Sequence, residues 1–569
     1  MKLLLVFMIA GLSVAGVVQP ELQRQISLAA PGELIPIVVH VHGALDTDWI
    51  ESASIGMTRS ERQQFVVNAL KANAQLSQQA VLASVSDEMV EQLTPFWLVN
   101  GFYCHTTPDV ILKLSMRSDV RYIERGDVRG HLIEPVDSRD PAPGERAVAW
   151  GVTKINAPQV WDMGYEGQGV IVGVIDTGVD YNHPDLHSNM WHDTDAGYHY
   201  GYNFYSGNPL DPMDDYGHGT HCAGTVAGMG TQGTETGVAP SATIMALRIN
   251  YYFGGEATWV QAMEFGAENG AAVLSMSLGS YTGVAFLREA EEALQLAGVI
   301  HSVAAGNSGP GSGTILGSGD CPPPWFHPNQ TYHGGNSAVV TVGATDSNDT
   351  MAGFSSRGPV TWWGSVAPWF DYSAANPLIS PDVSAPGVDV YSTQLGGGYT
   401  YMSGTSMATP HVAGVMALML SANPELTVAQ IDSIIEMTAL DLGAGVKNNT
   451  YGAGRIDAYQ AVLAALQLTG LEGDSQPGAP VPAVVLSAVS PNPVSGSASF
   501  SIYSPEAGDA RIVLFDVAGR AVARVHEGNL DSGNHSFMWS LPENRGTGIY
   551  FVRAFTPAGT AVSRMTVVR

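Results

Sequence analysis

Cysteine is scarce, with three in 569 residues. Three cannot build the disulfide framework that staples small extracellular domains. Basic residues are scarce too: 25 Lys+Arg stand against 53 Asp+Glu, a formal net charge of −28. Such a surface repels nucleic acid and anionic membranes and favours solubility, so neither is an expected partner. After the first fifteen residues no uncharged apolar run of about 18 residues occurs, so no transmembrane anchor is expected. No cysteine follows the N-terminal apolar run, which argues against a lipid-modified start. The rest of the composition, 45% hydrophobic and 14% charged, is that of a globular protein.

The chain is too long for one core and divides by pattern. Lys2, the apolar run 3–12 and Ser13-Val14-Ala15 read as a signal peptide, residues 1–15. Residues 16–146 are a small α+β unit and a linker. Runs at 34–42, 96–102 and 120–124 read as strands, with helical patterns at 58–81 and 108–114. Residues 137–146, rich in Pro, Asp and Arg, read as an exposed cleavage zone. Residues 147–468 alternate near-continuous apolar runs (169–175, 243–248, 272–277, 299–305, 339–344) with helical stretches. That pattern argues for a parallel sheet covered by helices on both faces, with chemistry at the carboxyl ends of its strands. Residues 469–483 turn to Gly, Pro, Ser and Asp, a linker. Residues 484–569 alternate with period two between regular turn signals, the pattern of a small β-sandwich.

Three short segments carry the chemistry: Val174-Ile175-Asp176-Thr177-Gly178, Gly217-His218-Gly219-Thr220-His221 and Gly404-Thr405-Ser406-Met407-Ala408-Thr409-Pro410. A serine hydroxyl needs a base to take its proton as it attacks, and that base needs a partner to fix its tautomer. Asp176, His218 and Ser406 supply all three, each beside small residues that admit backbone and substrate. In the order Asp, His, Ser the segments resemble the subtilase (subtilisin-like) serine proteases, over roughly residues 147–465. The fold implied is α/β, a subtilisin-like parallel sheet with helices on both faces, preceded by a small α+β propeptide and followed by an all-β immunoglobulin-like sandwich.

The resemblance implies further roles. Asn307, in Ala304-Ala305-Gly306-Asn307, matches the position whose amide stabilises the oxyanion, with the Ser406 N–H as second donor. Ser277-Leu278-Gly279 would pair with substrate backbone. Ala304, Ala305 and Gly306 would wall a pocket with room for a large apolar or aromatic side chain. Asp185 matches a position that ligates calcium in many relatives, but residues 229–235 lack the family's usual Asn-rich ligand loop. Residues 16–146 resemble the family's inhibitory propeptide, through Val99-Asn100-Gly101-Phe102 and Asp119-Val120-Arg121-Tyr122-Ile123-Glu124; an ordinary attached N-terminal domain is the other reading. Ser490-Pro491-Asn492-Pro493, residues 514–520 and Gly548-Ile549-Tyr550-Phe551-Val552-Arg553 resemble C-terminal sorting domains of bacterial type IX (Por) secretion cargo. A generic surface-binding module is the alternative there.

Around these motifs simpler roles are expected. His221, His301 and His411 read as satisfied core residues. Cys222 and Cys321 read as buried thiols or as a disulfide pair. The insert with Cys321, Trp325, Trp362, Trp363 and Trp369 reads as packing over the core or as contact with extended substrates. The sequence thus points to a secreted or surface-attached serine endopeptidase acting on proteins and peptides. It would be made as a self-processing zymogen, matured near 137–149, inhibited by its own propeptide, and exported through its C-terminal domain. The rival is a surface-attached binding protein with a vestigial protease domain.

Overall fold

The computed structural model describes residues 16–567, apart from 140–147, 363–370, 470–484, 487–493, 541–547 and several shorter gaps. The signal peptide, linker residues 470–483, Ser490–Pro493, residues 517–520, Trp363 and Trp369 lie outside the described residues. The chain forms two compact units, residues 1–469 and 470–569.

The first unit begins with a five-stranded sheet in the order β1-β5-β2-β4-β3. Its strands are β1 (Val17–Val18), β2 (Ile35–Val41), β3 (Val90–Phe96), β4 (Gly101–Thr106) and β5 (Val120–Arg125). Helices α1 (Pro20–Leu28), α2 (Thr47–Ala53), α3 (Arg59–Ser84) and α4 (Pro108–Ser115) accompany it. Helix α3 starts at a capping box: Thr58 accepts from the Glu61 N–H while Glu61 accepts from the Thr58 N–H. The run 96–102, expected as one strand, is instead the end of β3, a turn and the start of β4. Asn100 sits at φ 47°, and the Leu98 N–H is held by Glu264 at 2.9 Å. Leu98 and Val99 are buried from the turn rather than from a strand.

Two short strands follow, β6 (Gly130–Leu132) and β7 (Asp137–Arg139). After helices α5 (Trp150–Lys154) and α6 (Ala157–Trp161) comes the large sheet. Its strands are β8 (Ile171–Asp176), β11 (Gly201–Asn203), β12 (Thr243–Arg248), β13 (Val273–Met276), β15 (Ile300–Ala304), β16 (Val339–Thr345) and β17 (Val383–Pro386). They are ordered β11-β12-β8-β13-β15-β16-β17, with every neighbouring pair parallel. The strands are buried almost throughout, which explains their unbroken apolar runs. Strands β9 (His192–Asp193) and β10 (Tyr198–His199) make a hairpin between β8 and β11, β14 (Leu278–Ser280) lies beside the sheet, and β18 (Val390–Thr393) pairs with β19 (Tyr399–Ser403). Helices α7 (His218–Ala227), α8 (Glu256–Glu268), α9 (Ala285–Ala297), α10 (Thr405–Ala422), α11 (Val428–Thr438) and α12 (Ala458–Thr469) complete the layers.

The N-terminal sheet is joined to this body by specific contacts. Arg59 donates to the Gly298 and Ala272 carbonyls, and Gln63 to those of Ala267 and Ala271. The Ala267 and Gly298 carbonyls lie at the ends of α8 and α9, where helices leave carbonyls unpaired, and those of Ala271 and Ala272 lie in the turn between α8 and β13.

The second unit contains β20 (Val485–Leu486), β21 (Ser497–Ser504), β22 (Gly508–Asp516), β23 (Ala521–Leu530), β24 (Gly533–Ser540), β25 (Gly548–Thr556) and β26 (Gly559–Val567). They form antiparallel sheets of three and four strands, with Phe500, Ile502, Ile512, Leu514, Trp539 and Val552 among one shared core.

Candidate functional site

Asp176 ends β8, and His218 opens α7, beyond β9, β10 and β11. What brings them together is partly the absence of a side chain at Gly219. A Cβ there would stand 2.1 Å from the Gly178 carbonyl oxygen and 3.0 Å from the Asp176 Cβ. The His218 Nδ1–H donates to Asp176 Oδ1 at 2.8 Å, and both side chains are buried. Asp176 Oδ1 also accepts from the Thr177 N–H at 2.7 Å. Burial alone would lower the pKa of His218, but the charge of Asp176 outweighs it and holds the imidazole well above its ordinary value. The second ring nitrogen, Nε2, is buried without a hydrogen-bond partner.

Asp214 is a positioning residue that the sequence reading missed. Its Oδ1 accepts from the Thr177 hydroxyl and the Gly217 N–H, both at 2.9 Å; its Oδ2 accepts from the Thr220 N–H at 2.9 Å and the Thr220 hydroxyl at 2.6 Å. One carboxylate therefore closes the start of α7 and ties it to the residue after Asp176. The signal was present as an aspartate four positions before His218.

Ser406 is the second residue of α10. Pro410, four residues on, has no N–H, so the Ser406 carbonyl lacks its usual helical partner. The Ser277 hydroxyl donates to that carbonyl at 3.0 Å, and Cys222 Sγ lies 3.5 Å from it. Asn307 follows β15; its Oδ1 accepts from the Thr405 N–H and hydroxyl, each at 3.0 Å, which aims its Nδ2 into the cleft.

The cleft is occupied by the chain itself. Strand β6 runs antiparallel to β14, pairing Leu132 with Leu278 and His131 with Gly279. The Ile133 N–H donates to the Ser277 carbonyl at 3.3 Å. The Ser406 hydroxyl donates to the Ile133 carbonyl at 2.7 Å, and Asn307 Nδ2 to the Glu134 carbonyl at 2.9 Å. Farther on, the Val136 N–H donates to the Ser403 carbonyl and β7 pairs with β19. The residues expected to bind substrate backbone, Ser277, Leu278 and Gly279, thus pair with backbone here. Of the expected pocket walls, Ala304 packs with the Ile133 side chain. Ala305 is buried, and its carbonyl accepts from the Leu316 N–H. Gly306, at φ 109°, makes room for Leu316: a Cβ would stand 2.7 Å from Leu316 Cγ. Leu316 itself was not anticipated. It joins Ile133 and Ala304 in one small cluster and narrows the pocket that the sequence suggested was roomy.

Asp185 is fully buried, with one oxygen held by the Thr231 hydroxyl and the other by the Tyr399 hydroxyl at 2.7 Å. Among the described residues, the grouping of His, Cys and carboxylate side chains tight enough to share an ion is Asp176, His218 and Cys222, which excludes Asp185. Each Asp185 oxygen thus carries one hydroxyl donor, where a calcium ion would call for several oxygen ligands around it. Cys222 and Cys321 are both buried free thiols, in different core clusters. His221 and His411 are buried on carbonyl partners, with burial lowering their pKa values to about 3 and about 4. His301 is buried against Glu291. Trp362 is buried over the core, its indole N–H on the Asp320 carbonyl at 2.7 Å.

Residues 167–454 match the model of the subtilase family. M-protease of Shouchella clausii (strain KSM-K16) is 31% identical over 413 residues, covering 72% of this chain and 91% of that protein. Subtilisin DY of Bacillus licheniformis is 35% identical over 320 residues, 56% of this chain and 99% of that protein. Subtilisin E of Bacillus subtilis (strain 168) is 30% identical over 413 residues, 72% of this chain and 93% of that protein. With a parallel sheet that brings Asp176 and His218 together and sets Ser406 and Asn307 on one stretch of backbone, the chain belongs to the subtilase family and is a serine-type endopeptidase.

Proposed function

We propose that the protein is a secreted endopeptidase made as a self-processing zymogen, with Ser406 as nucleophile, His218 as general base and Asp176 as its orienting partner. The observation that carries this is residues 130–134 lying along β14 with a carbonyl on the Ser406 hydroxyl. In the reaction, His218 Nε2 takes the Ser406 proton as Oγ attacks the carbonyl carbon, and Asp176 stabilises the imidazolium. Asn307 Nδ2 and the Ser406 N–H receive the developing oxyanion, a term worth about 3–4 kcal/mol per donor. His218 then passes its proton to the leaving amine, and water releases the acyl group by the reverse route.

Residues 16–139 act as the intramolecular inhibitor, because the same backbone that fills the cleft is tethered to the N-terminal sheet. The antiparallel C-terminal unit acts as an immunoglobulin-like export domain of the type IX kind; its support is the strand pattern and the sequence likeness. N-terminal export is supported by the signal-like residues 1–15. The test is to express the full chain beside Ser406→Ala. The wild type shortens and digests casein while the variant stays full length and inert. A variant that still shortens and digests casein would refute the assignment of Ser406.

A further inference from the structure

We propose that the enzyme cuts itself between Ile133 and Glu134, and that this bond displays its substrate class: peptides with a mid-sized aliphatic residue before the cut and an acidic residue after it, read by Leu316 and Tyr216. The inference rests on the zymogen reading above and goes beyond it by naming the bond and the side chains that select it.

Three contacts fix the register. The Ile133 N–H is on the Ser277 carbonyl, its side chain packs with Ala304 and Leu316, and its carbonyl is the one on the Ser406 hydroxyl. Residues 130–132 are already zipped to β14 upstream. The Glu134 carbonyl occupies Asn307 Nδ2, so the uncut chain is held short of attack; the donor must pass to the Ile133 oxygen before reaction. The bond after Glu134 is a poorer choice, because its nitrogen belongs to Pro135 and carries no N–H. The structure also places residues 137–139 in β7, against Ser403, downstream of the nucleophile, so a cut at 137–149 is not the one this register offers.

The pocket suits isoleucine because Leu316 is wedged between two glycines. A Cβ on Gly279 would stand 2.7 Å from Leu316 Cβ, and one on Gly306 2.7 Å from Leu316 Cγ. The leucine thus fills space that an aromatic side chain would need. On the other side of the bond, the Tyr216 hydroxyl donates to Glu134 Oε2 at 2.6 Å. Tyr216 is two residues before His218, so acid recognition is built beside the base. In a chain of net charge −28, a neutral hydroxyl is what admits an acid here without a cationic patch.

The chemistry balances as ordinary hydrolysis. Ser406 Oγ bonds to the Ile133 carbonyl carbon, the bond to the Glu134 nitrogen breaks, and that nitrogen takes the proton carried by His218. Water then replaces Oγ, leaving the Ile133 carboxylate and a new N-terminus at Glu134.

The test is the N-terminal sequence of the processed full-length protein, with kcat/KM on two quenched peptides, His-Leu-Ile-Glu-Pro-Val and His-Leu-Ile-Ala-Pro-Val. A mature chain starting at Glu134 is expected, and so is a preference of roughly fivefold for the glutamate peptide, the size of one typical net hydrogen bond in water. Tyr216→Phe should bring that ratio close to one. Self-cleavage that begins at Pro135 or within 137–149 overturns the bond, and a ratio unmoved by Tyr216→Phe overturns the acid reading, while both leave the zymogen standing. A wild type that stays full length, or a Ser406→Ala chain that is still cut, defeats the zymogen reading itself.

Discussion

Alkaline pH should loosen the N-terminal unit from the catalytic body, through His40. This side chain is fully buried between the two. Its Nε2 lies 2.6 Å from Glu124 on β5, and its Nδ1 2.9 Å from Glu289 on α9. The Tyr122 ring stacks on it at 3.8 Å, while Arg121 and the Tyr122 hydroxyl also hold Glu289. Both ring nitrogens can donate only in the protonated form. Burial alone would lower the pKa of His40, but Glu289 and then Glu124 raise it above 6.5. Burial also raises Glu124, whereas His40 and Arg121 carry Glu289 below its usual range in spite of burial. The cation thus bridges Glu124 on its own sheet and Glu289 across the contact. A raised histidine pKa stabilises the docked state fully below pH 6.5, and that stability is lost as pH rises through the docked value. Within that window each pH unit weakens docking about tenfold, or about 1.4 kcal/mol. His40→Gln takes the cation from buried Glu124 and leaves Glu289 with that of Arg121 alone, and should cost about 3 kcal/mol at pH 6. The assay is hydrogen exchange of residues 35–41 in full-length Ser406→Ala between pH 6 and 9, corrected for intrinsic rates. Faster corrected exchange with pH in the His40 chain, and a high, flat level in His40→Gln, are expected. Exchange that slows with pH, or does not change, refutes the argument.

Asn307→Ala should lower kcat by about 10²–10³-fold with little change in KM, since the donor acts on the transition state; stopped-flow and steady-state kinetics on a small ester would show it, and a pure KM effect would count against the role. Catalysis needs neutral His218, and Asp176 raises its pKa, so kcat/KM should climb with pH through a midpoint above 6.5; a midpoint below that value contradicts the pairing. Adding EDTA should leave the melting temperature unchanged, because Asp185 is already satisfied by hydroxyls. A saturated calcium site would instead be worth about 2.7 kcal/mol at a hundredfold excess of ion over Kd, and its loss would be plain in a thermal scan. Asp214→Asn should slow kcat more than it raises KM, since it loosens the turn that aims His218.

Much of this was legible because it is local. Residues 243–248 form a strand over the run that its apolar residues mark, and α3 begins where Thr58 and Glu61 signal it. The segments around Asp176, His218 and Ser406 announce themselves through glycines that allow close approach. What escaped was decided across long separations. The turn at 97–100 looks like a strand because its apolar side chains are buried. Its amides, however, are taken by Glu264, more than 160 residues away, whose own pKa burial drives up to about 8. Leu316 entered the pocket from an insert with no periodicity to read. The pairing of residues 130–132 with 278–280 had no local signal either.

Pro410 has a meaning beyond its tolerated place in a helix. By leaving the Ser406 carbonyl open, it recruits Ser277 from the substrate-pairing edge and Cys222 from one turn beyond His218. The helix of Ser406, the helix of His218 and the edge at 277–280 thereby meet at a single oxygen atom. Had residue 410 carried an N–H, that oxygen would have been drawn back into its own helix, and the three parts would be free to drift apart. A defect in one helix thus serves as the rivet that keeps the distances of the catalytic machine constant as peptides enter and leave.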